Sequence, residues 1–195
     1  MIAFSRLTTL LLFILSLGFL TCAAPTTGDA QALSVRGGDC TNVVDALASL
    51  KTKLEVHLDA CDLVKADTDV NVLIIAKVKA DVEEATKAVT KIGVIADFDA
   101  KIKADIVARI AVIVSLVAKI LIKLSAKISA SIMADICIQI DVCLKALLVA
   151  LNVCINGVVA LSLKAIVDLT ILVFIKVKLS LCAGLLGLLN ISVAL

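Results

Sequence analysis

The stretch AKIKADIVARIAVIVSLVAKILIKLSAKISASI, residues 100–132, decides the fold. Its last third alternates apolar and polar residues: from Ile122 to Ile132, Lys123, Ser125, Lys127, Ser129 and Ser131 stand between apolar neighbours. Taken alone, that is the pattern of a half-buried strand. The whole stretch points to a helix. Lys101, Asp105, Arg109, Lys119, Lys123 and Lys127 fall within an arc of roughly 80° at 3.6 residues per turn. A strand does not hold one polar stripe over that length. The expectation is therefore a helix from Asp97, with the serine cluster Ser125 to Ser131 marking a bend or turn. The opening AKIKADI nearly repeats AKVKADV, 24 positions earlier at Ala76 to Val82. On helices the two copies are wet faces. Lys77–Asp81, Lys79–Glu83 and Lys101–Asp105 are spaced as i,i+4 pairs worth a few tenths of a kcal/mol.

Working outward, the same period gives four more helices. The first begins near Thr41 or Asn42, either of which can cap it. Its apolar face is Val43, Leu47, Leu50, Leu54, Leu58 and Cys61. His57, the only histidine, sits at the edge of that stripe as a partly buried spectator. The second helix runs from about Val70 to Ile92, capped by Asp67, Thr68 or Asp69, and Gly93 closes it. Its apolar face is Ile74, Ile75, Val78, Val82, Ala85, Val89 and Ile92. The fourth helix covers about Ser131 to Asn156. Asp141, Lys145, Asn152 and Asn156 form a narrow polar stripe on it, so a central position is expected. Asn156-Gly157 is a turn signal. A fifth helix follows from about Val158 to Cys182. Ala183 to Leu195 is a Leu-rich tail. The fold class expected is all-α: a bundle of about five amphipathic to apolar helices, disulfide-linked.

At the other end, residues 1–24 read as a secretory signal peptide. Arg6 gives the basic start, Leu7 to Leu20 the apolar run, and Thr21-Cys22-Ala23-Ala24 the small residues for cleavage. Residues 25–39 read as a flexible linker, and residues 40–195 as a single helical domain. Cleavage leaves roughly 170 residues, enough for a real core. The chain is 62% hydrophobic, with mean hydropathy +1.14, where about half is ordinary. Either the core is unusually large or apolar surface is offered to something. A net charge of +2 and the absence of Trp and Tyr argue against nucleic-acid binding by charge or stacking.

Six cysteines remain after cleavage: Cys40, Cys61, Cys137, Cys143, Cys154 and Cys182. An even number in an exported chain points to disulfides. Cys137, Cys143 and Cys154 are 6, 11 and 17 residues apart, which on one helix is about 9, 16 and 25 Å, too far to pair with each other. Each bridge must then join one of them to Cys40, Cys61 or Cys182. A hairpin at Asn156-Gly157 favours Cys182 with Cys137. Buried thiols are the alternative. With one histidine and no CxxC, a zinc site is not expected. No nucleophile–base set or phosphate loop is present, so neither an enzyme nor a cofactor is expected. Asn190-Ile191-Ser192 fits a glycosylation sequon in an apolar tail.

Two stretches carry a family likeness: VVDALASLKTKLEVHL (Val43 to Leu58) and ADVEEATKAVTKI (Ala80 to Ile92). They resemble the hydrophobic-surface-binding and cell-wall mannoprotein-like family of small secreted fungal proteins. The likeness extends over Val43 to Lys127; the six cysteines and the apolar C-terminal part depart from it. It implies a non-enzymatic protein that adsorbs to hydrophobic surfaces or the cell wall. Amphipathic helices with lysine-rich polar faces reach a similar expectation, since they can lie on an apolar or lipid surface. The alternative is a multi-pass membrane protein, because Ala146 to Leu163 is uncharged and close to spanning length.

Overall fold

A computed structural model describes residues 38–63, 68–95 and 99–187, all within one compact unit. The expected signal peptide, most of the linker, a helix start at Asp97 and the tail around Asn190 lie outside the described residues. Those described form seven helices and no strand: α1 (Gly38–Leu63), α2 (Thr68–Ile92), α3 (Ala100–Ser125), α4 (Ala130–Cys154), α5 (Val158–Lys164), α6 (Leu169–Lys178) and α7 (Ser180–Leu186).

The alternating stretch from Ile122 to Ile132 is helix, turn and helix. α3 ends at Ser125, the chain turns through Ala126 to Ile128, and Ser129 precedes α4. Serine competes with the backbone for hydrogen bonds and so favours helix ends. Ser125 Oγ donates to the Ile122 carbonyl at 2.6 Å. α3 begins at Ala100, and Asp99 caps it by accepting the Lys101 N–H at 2.9 Å.

Both faces expected on the first two helices are the ones buried. Val43, Leu47, Leu50, Leu54 and Cys61 of α1 meet Ile74, Ile75, Val78, Val82, Ala85 and Val89 of α2 in one core. The two run antiparallel. Lys53 pairs with Asp81 and Glu84, and His57 Nε2 lies 2.7 Å from Asp81 Oδ2. Asp81 thus pairs across to α1 rather than with Lys77, and Asp105 pairs with Arg109 at 2.8 Å rather than with Lys101. α3 lies parallel to α1, pinned at its far end where Lys123 bridges Asp62 and Lys127 donates to the Cys61 carbonyl. α4 packs along α2, also parallel. The short helices α5, α6 and α7 fill the remaining side between α3 and α4.

The expected fifth helix is therefore three short ones, and five is not the helix count. Two carboxylates account for the breaks. Asp168 caps a new N-terminus by accepting the N–H groups of Thr170 and Ile171, which competes with continuation from α5. Asp141, projecting from α4, captures the N–H groups of Leu181 and Cys182. The chain bends by 117° between α6 and α7 to present them.

The expected disulfide linkage is not seen among the described residues; all six cysteines are buried thiols. Their surroundings explain this. Cys182 is held beside Asp141: its thiol faces the Asp141 main-chain carbonyl at 3.5 Å. The Cys143 thiol points across to α2, 3.6 Å from the Lys79 carbonyl.

Candidate apolar binding face

α4 inverts the pattern expected of it. Asp141 of its polar stripe turns inward, Lys145 and Asn152 lie half-buried, Asn156 is exposed past the helix end, and an apolar edge turns outward. Asp141 is 4% exposed and spends both oxygens on the start of α7, accepting from Leu181 at 2.8 Å and Cys182 at 2.9 Å. Asn152 accepts the Gly157 N–H at 3.2 Å, closing the turn in which Gly157 adopts φ +80°, a conformation that suits glycine. Because these polar groups serve the C-terminal helices, the adjoining arc of α4 is left in solvent. Ile138 (64% exposed), Val142 (55%), Val149 (40%) and Val153 (60%) line it, with exposed Ala146 between them. At 100° per residue these five fall within an arc of roughly 80° and extend about 22 Å. The helix packs against α2, α3, α5, α6 and α7, as expected of a central one, and only this arc is left open.

The stripe forms one wall of a groove whose other wall is α2. One half, about 530 Å³, is lined by Thr86, Val89, Thr90 and Gly93 of α2 and its C-terminal turn, with Val142, Lys145, Ala146, Val149 and Val153 of α4. The other half, about 470 Å³, is lined by Lys79, Glu83, Thr86 and Lys87 opposite Ile138, Gln139, Val142 and Ala146. Both halves share Thr86, Val142 and Ala146, so the groove is continuous. Its floor is apolar, and its edges carry Lys79, Glu83, Lys87 and Lys145. Contiguous apolar surface rimmed by charge marks an interaction site more often than chance exposure does.

Burial sets the character of the titratable groups in the core. Burial pushes the Cys143 thiol up to about 11. It raises Cys182 far more, with the hydrogen bond to Asp141 adding to the effect, and raises Cys61 and Cys137 as well. A thiol held protonated is neither a good nucleophile nor a ready metal ligand. Among the described residues no three His, Cys, Asp or Glu side chains gather as a metal site. His57 is partly buried against Asp81. Hydrogen bonds to Glu84 and then Asp81 raise the Lys53 ammonium pKa, completing a surface network of small energetic weight.

Of the residues singled out from sequence, the six cysteines are all buried; Cys137 and Cys182 both feel the Asp141 carboxylate, and Cys143 lies near Cys182. The feature that sequence periodicity missed is the α4 stripe. A partial signal was present in the uncharged run from Ala146, but its direction depends on which arc of α4 the later helices cover. No protein-family model matches the chain, and no curated protein matches it.

Proposed function

We propose that this chain is a secreted, non-enzymatic helical protein that binds apolar surfaces, lipid or cell-wall material through the α2–α4 face. The observation that carries this reading is the row of exposed Ile138, Val142, Val149 and Val153 beside an apolar groove. Such a face costs solubility and is retained where it contacts something apolar. Lysines at its edge suit an interface between apolar and aqueous phases, where their stems lie on the apolar side and their ammonium groups stay in water. The likeness of Val43 to Lys127 to surface-adsorbing secreted proteins points the same way.

Flotation with phosphatidylcholine vesicles and with alkane droplets tests this. The protein is expected to float with both without detergent, and the double variant V142D/V149D to stay in solution while keeping its helical circular-dichroism spectrum. Equal flotation of the double variant would sink the assignment of the face. A second reading rests on α4 itself, 25 residues with a window of mean hydropathy 2.0, which is long and apolar enough to span a bilayer. Half of that window is buried against the rest of the bundle, as in the core helix of a water-exposed protein. Release by alkaline carbonate supports surface binding; retention in the membrane pellet supports spanning.

A further inference from the structure

α6 breaks the usual pattern of a helix at the surface of a bundle. Its sequence, LTILVFIKVK, is apolar nearly all round, and a helix of that kind is normally enclosed by protein or by lipid. Only Ile171 and Ile175 of its ten residues are buried. On the opposite side Leu169 is 60% exposed and Val177 66%, with half-buried Val173 between them. Spaced four apart, these three lie within an arc of roughly 80° and extend about 12 Å. Val167, in the turn before the helix, is 92% exposed. Lys176 lies beside this row, and Lys164 and Lys178 stand exposed before and after it. We propose that α6 is a membrane-contact element that lies along the headgroup–acyl boundary of an anionic bilayer, with Val167, Leu169, Val173 and Val177 inward and Lys164, Lys176 and Lys178 toward lipid phosphates.

Charge selects that occupant. After Asp141 the chain holds four lysines and one carboxylate, and that carboxylate, Asp168, caps α6. α6 packs on α3, α4 and α7, whose carboxylates are Asp105, paired with Arg109, Asp141, which is buried, and Asp135, which is exposed. A second copy of the chain would set these lysines against each other, and an alkane surface would leave them without counter-charge. Anionic headgroups satisfy them while the lysine stems stay on the apolar side. Length decides how α6 lies. Its ten residues rise about 15 Å, roughly half of a bilayer's hydrocarbon core. The chain then bends by 117° into α7, and Asp141 holds the bend through the Leu181 and Cys182 N–H groups. α6 and α7 together are long and apolar enough to cross a membrane, but folded on this latch they lie in its surface. The site shares no residue with the α2–α4 face and does not depend on it.

Flotation at low salt with vesicles of phosphatidylcholine alone, and of phosphatidylcholine mixed with phosphatidylserine, tests this. The protein should bind the mixed vesicles about tenfold or more tighter, and added salt should erase the difference. The double variant K164Q/K178Q should lose about tenfold or more on mixed vesicles, since each lysine near an anionic surface is worth about fivefold. The double variant L169Q/V177Q, which leaves the charge unchanged, should lose about as much. All four positions are exposed, so both variants should keep the wild-type circular-dichroism spectrum. A fluorophore on a cysteine replacing Val177 should be quenched by bromine-labelled lipid in mixed vesicles; the thiols of the bundle are buried and stay unlabelled. Equal binding to the two kinds of vesicle, unchanged binding of L169Q/V177Q, or no quenching at position 177 would each overturn the proposal. If V142D/V149D loses all binding while L169Q/V177Q binds as wild type does, this proposal falls and the α2–α4 face stands. If V142D/V149D still binds mixed vesicles with position 177 quenched, the α6 site stands without that face.

Discussion

Replacing Asp141 by alanine should unlatch the C-terminal helices. In the native protein both carboxyl oxygens accept backbone N–H groups at the first turn of α7, at 2.8 and 2.9 Å. A helix start leaves such donors without intrahelical partners. Leu181 is partly exposed, so water can replace part of its bond; Cys182 is fully buried, so its N–H would be stranded. A stranded buried donor costs about 1–3 kcal/mol, and loss of a cap about 0.5–2 kcal/mol. Together with the small void left by the side chain, Asp141→Ala should lose about 2–4 kcal/mol. For a chain of this size that lowers the melting temperature by roughly 5–15 °C. Asp141→Asn keeps one acceptor and should lie between alanine and wild type. Urea unfolding followed by circular dichroism gives the stability. Amide hydrogen exchange gives the location: protection should fall first at Leu181 and Cys182 and across α7, and least in α1. A loss below about 0.5 kcal/mol, or unchanged exchange in α7, would refute the cap. In that event the sharp bend between α6 and α7 would need another cause.

The thiols and one glycine supply further tests. Cys61, Cys137, Cys143 and Cys182 should react with an aromatic disulfide reagent only after unfolding, and non-reducing peptide mapping should recover them as thiols; a bridge between any two would contradict the packing. Cys143 also makes stability depend on pH. Its thiol is raised in the folded chain from 9.0 to about 11, so the folded state holds that proton more tightly. The contribution is complete below about pH 9 and is lost as pH rises toward about 11, so Cys143→Ala should show a shallower alkaline decline in stability than wild type. At Gly157, whose φ is +80°, alanine should cost about 1–2 kcal/mol by thermal melting, from left-handed backbone strain, although nothing lies within 4 Å of the added methyl group.

Helix positions and inward faces could be read directly from residue order, because a helix writes its buried side every three to four residues. The row Val43, Leu47, Leu50, Leu54 states its burial locally, and so does the serine-marked turn after Ser125. The exposed apolar face of α4 could not be read in this way. Whether α4 turns Asp141 or Val142 toward water is decided by a bond to a segment 40 residues later. Periodicity within α4 carries no trace of that partner. Of the polar residues on this apolar helix, Asp141 is the inward contact, and the apolar arc beside it faces water. The break between α6 and α7 has the same origin, since the Asp141 cap is satisfied by tertiary placement, whereas Asp168 caps α6 locally, two and three residues on. The cysteine count misled in a related way. Evenness and export suggest pairing, whereas proximity decides it, and Cys143 and Cys182 each face a backbone carbonyl instead.

Which side of the molecule enters an apolar phase can be measured directly. A fluorophore is attached to a cysteine introduced at Val149 on the groove, or at Glu55 on the exposed face of α1, and each protein is mixed with vesicles containing bromine-labelled lipids that quench only within the acyl region. Surface binding through α4 requires strong quenching at position 149 and none at 55. Equal quenching at both positions, or bound protein quenched at neither, would contradict it.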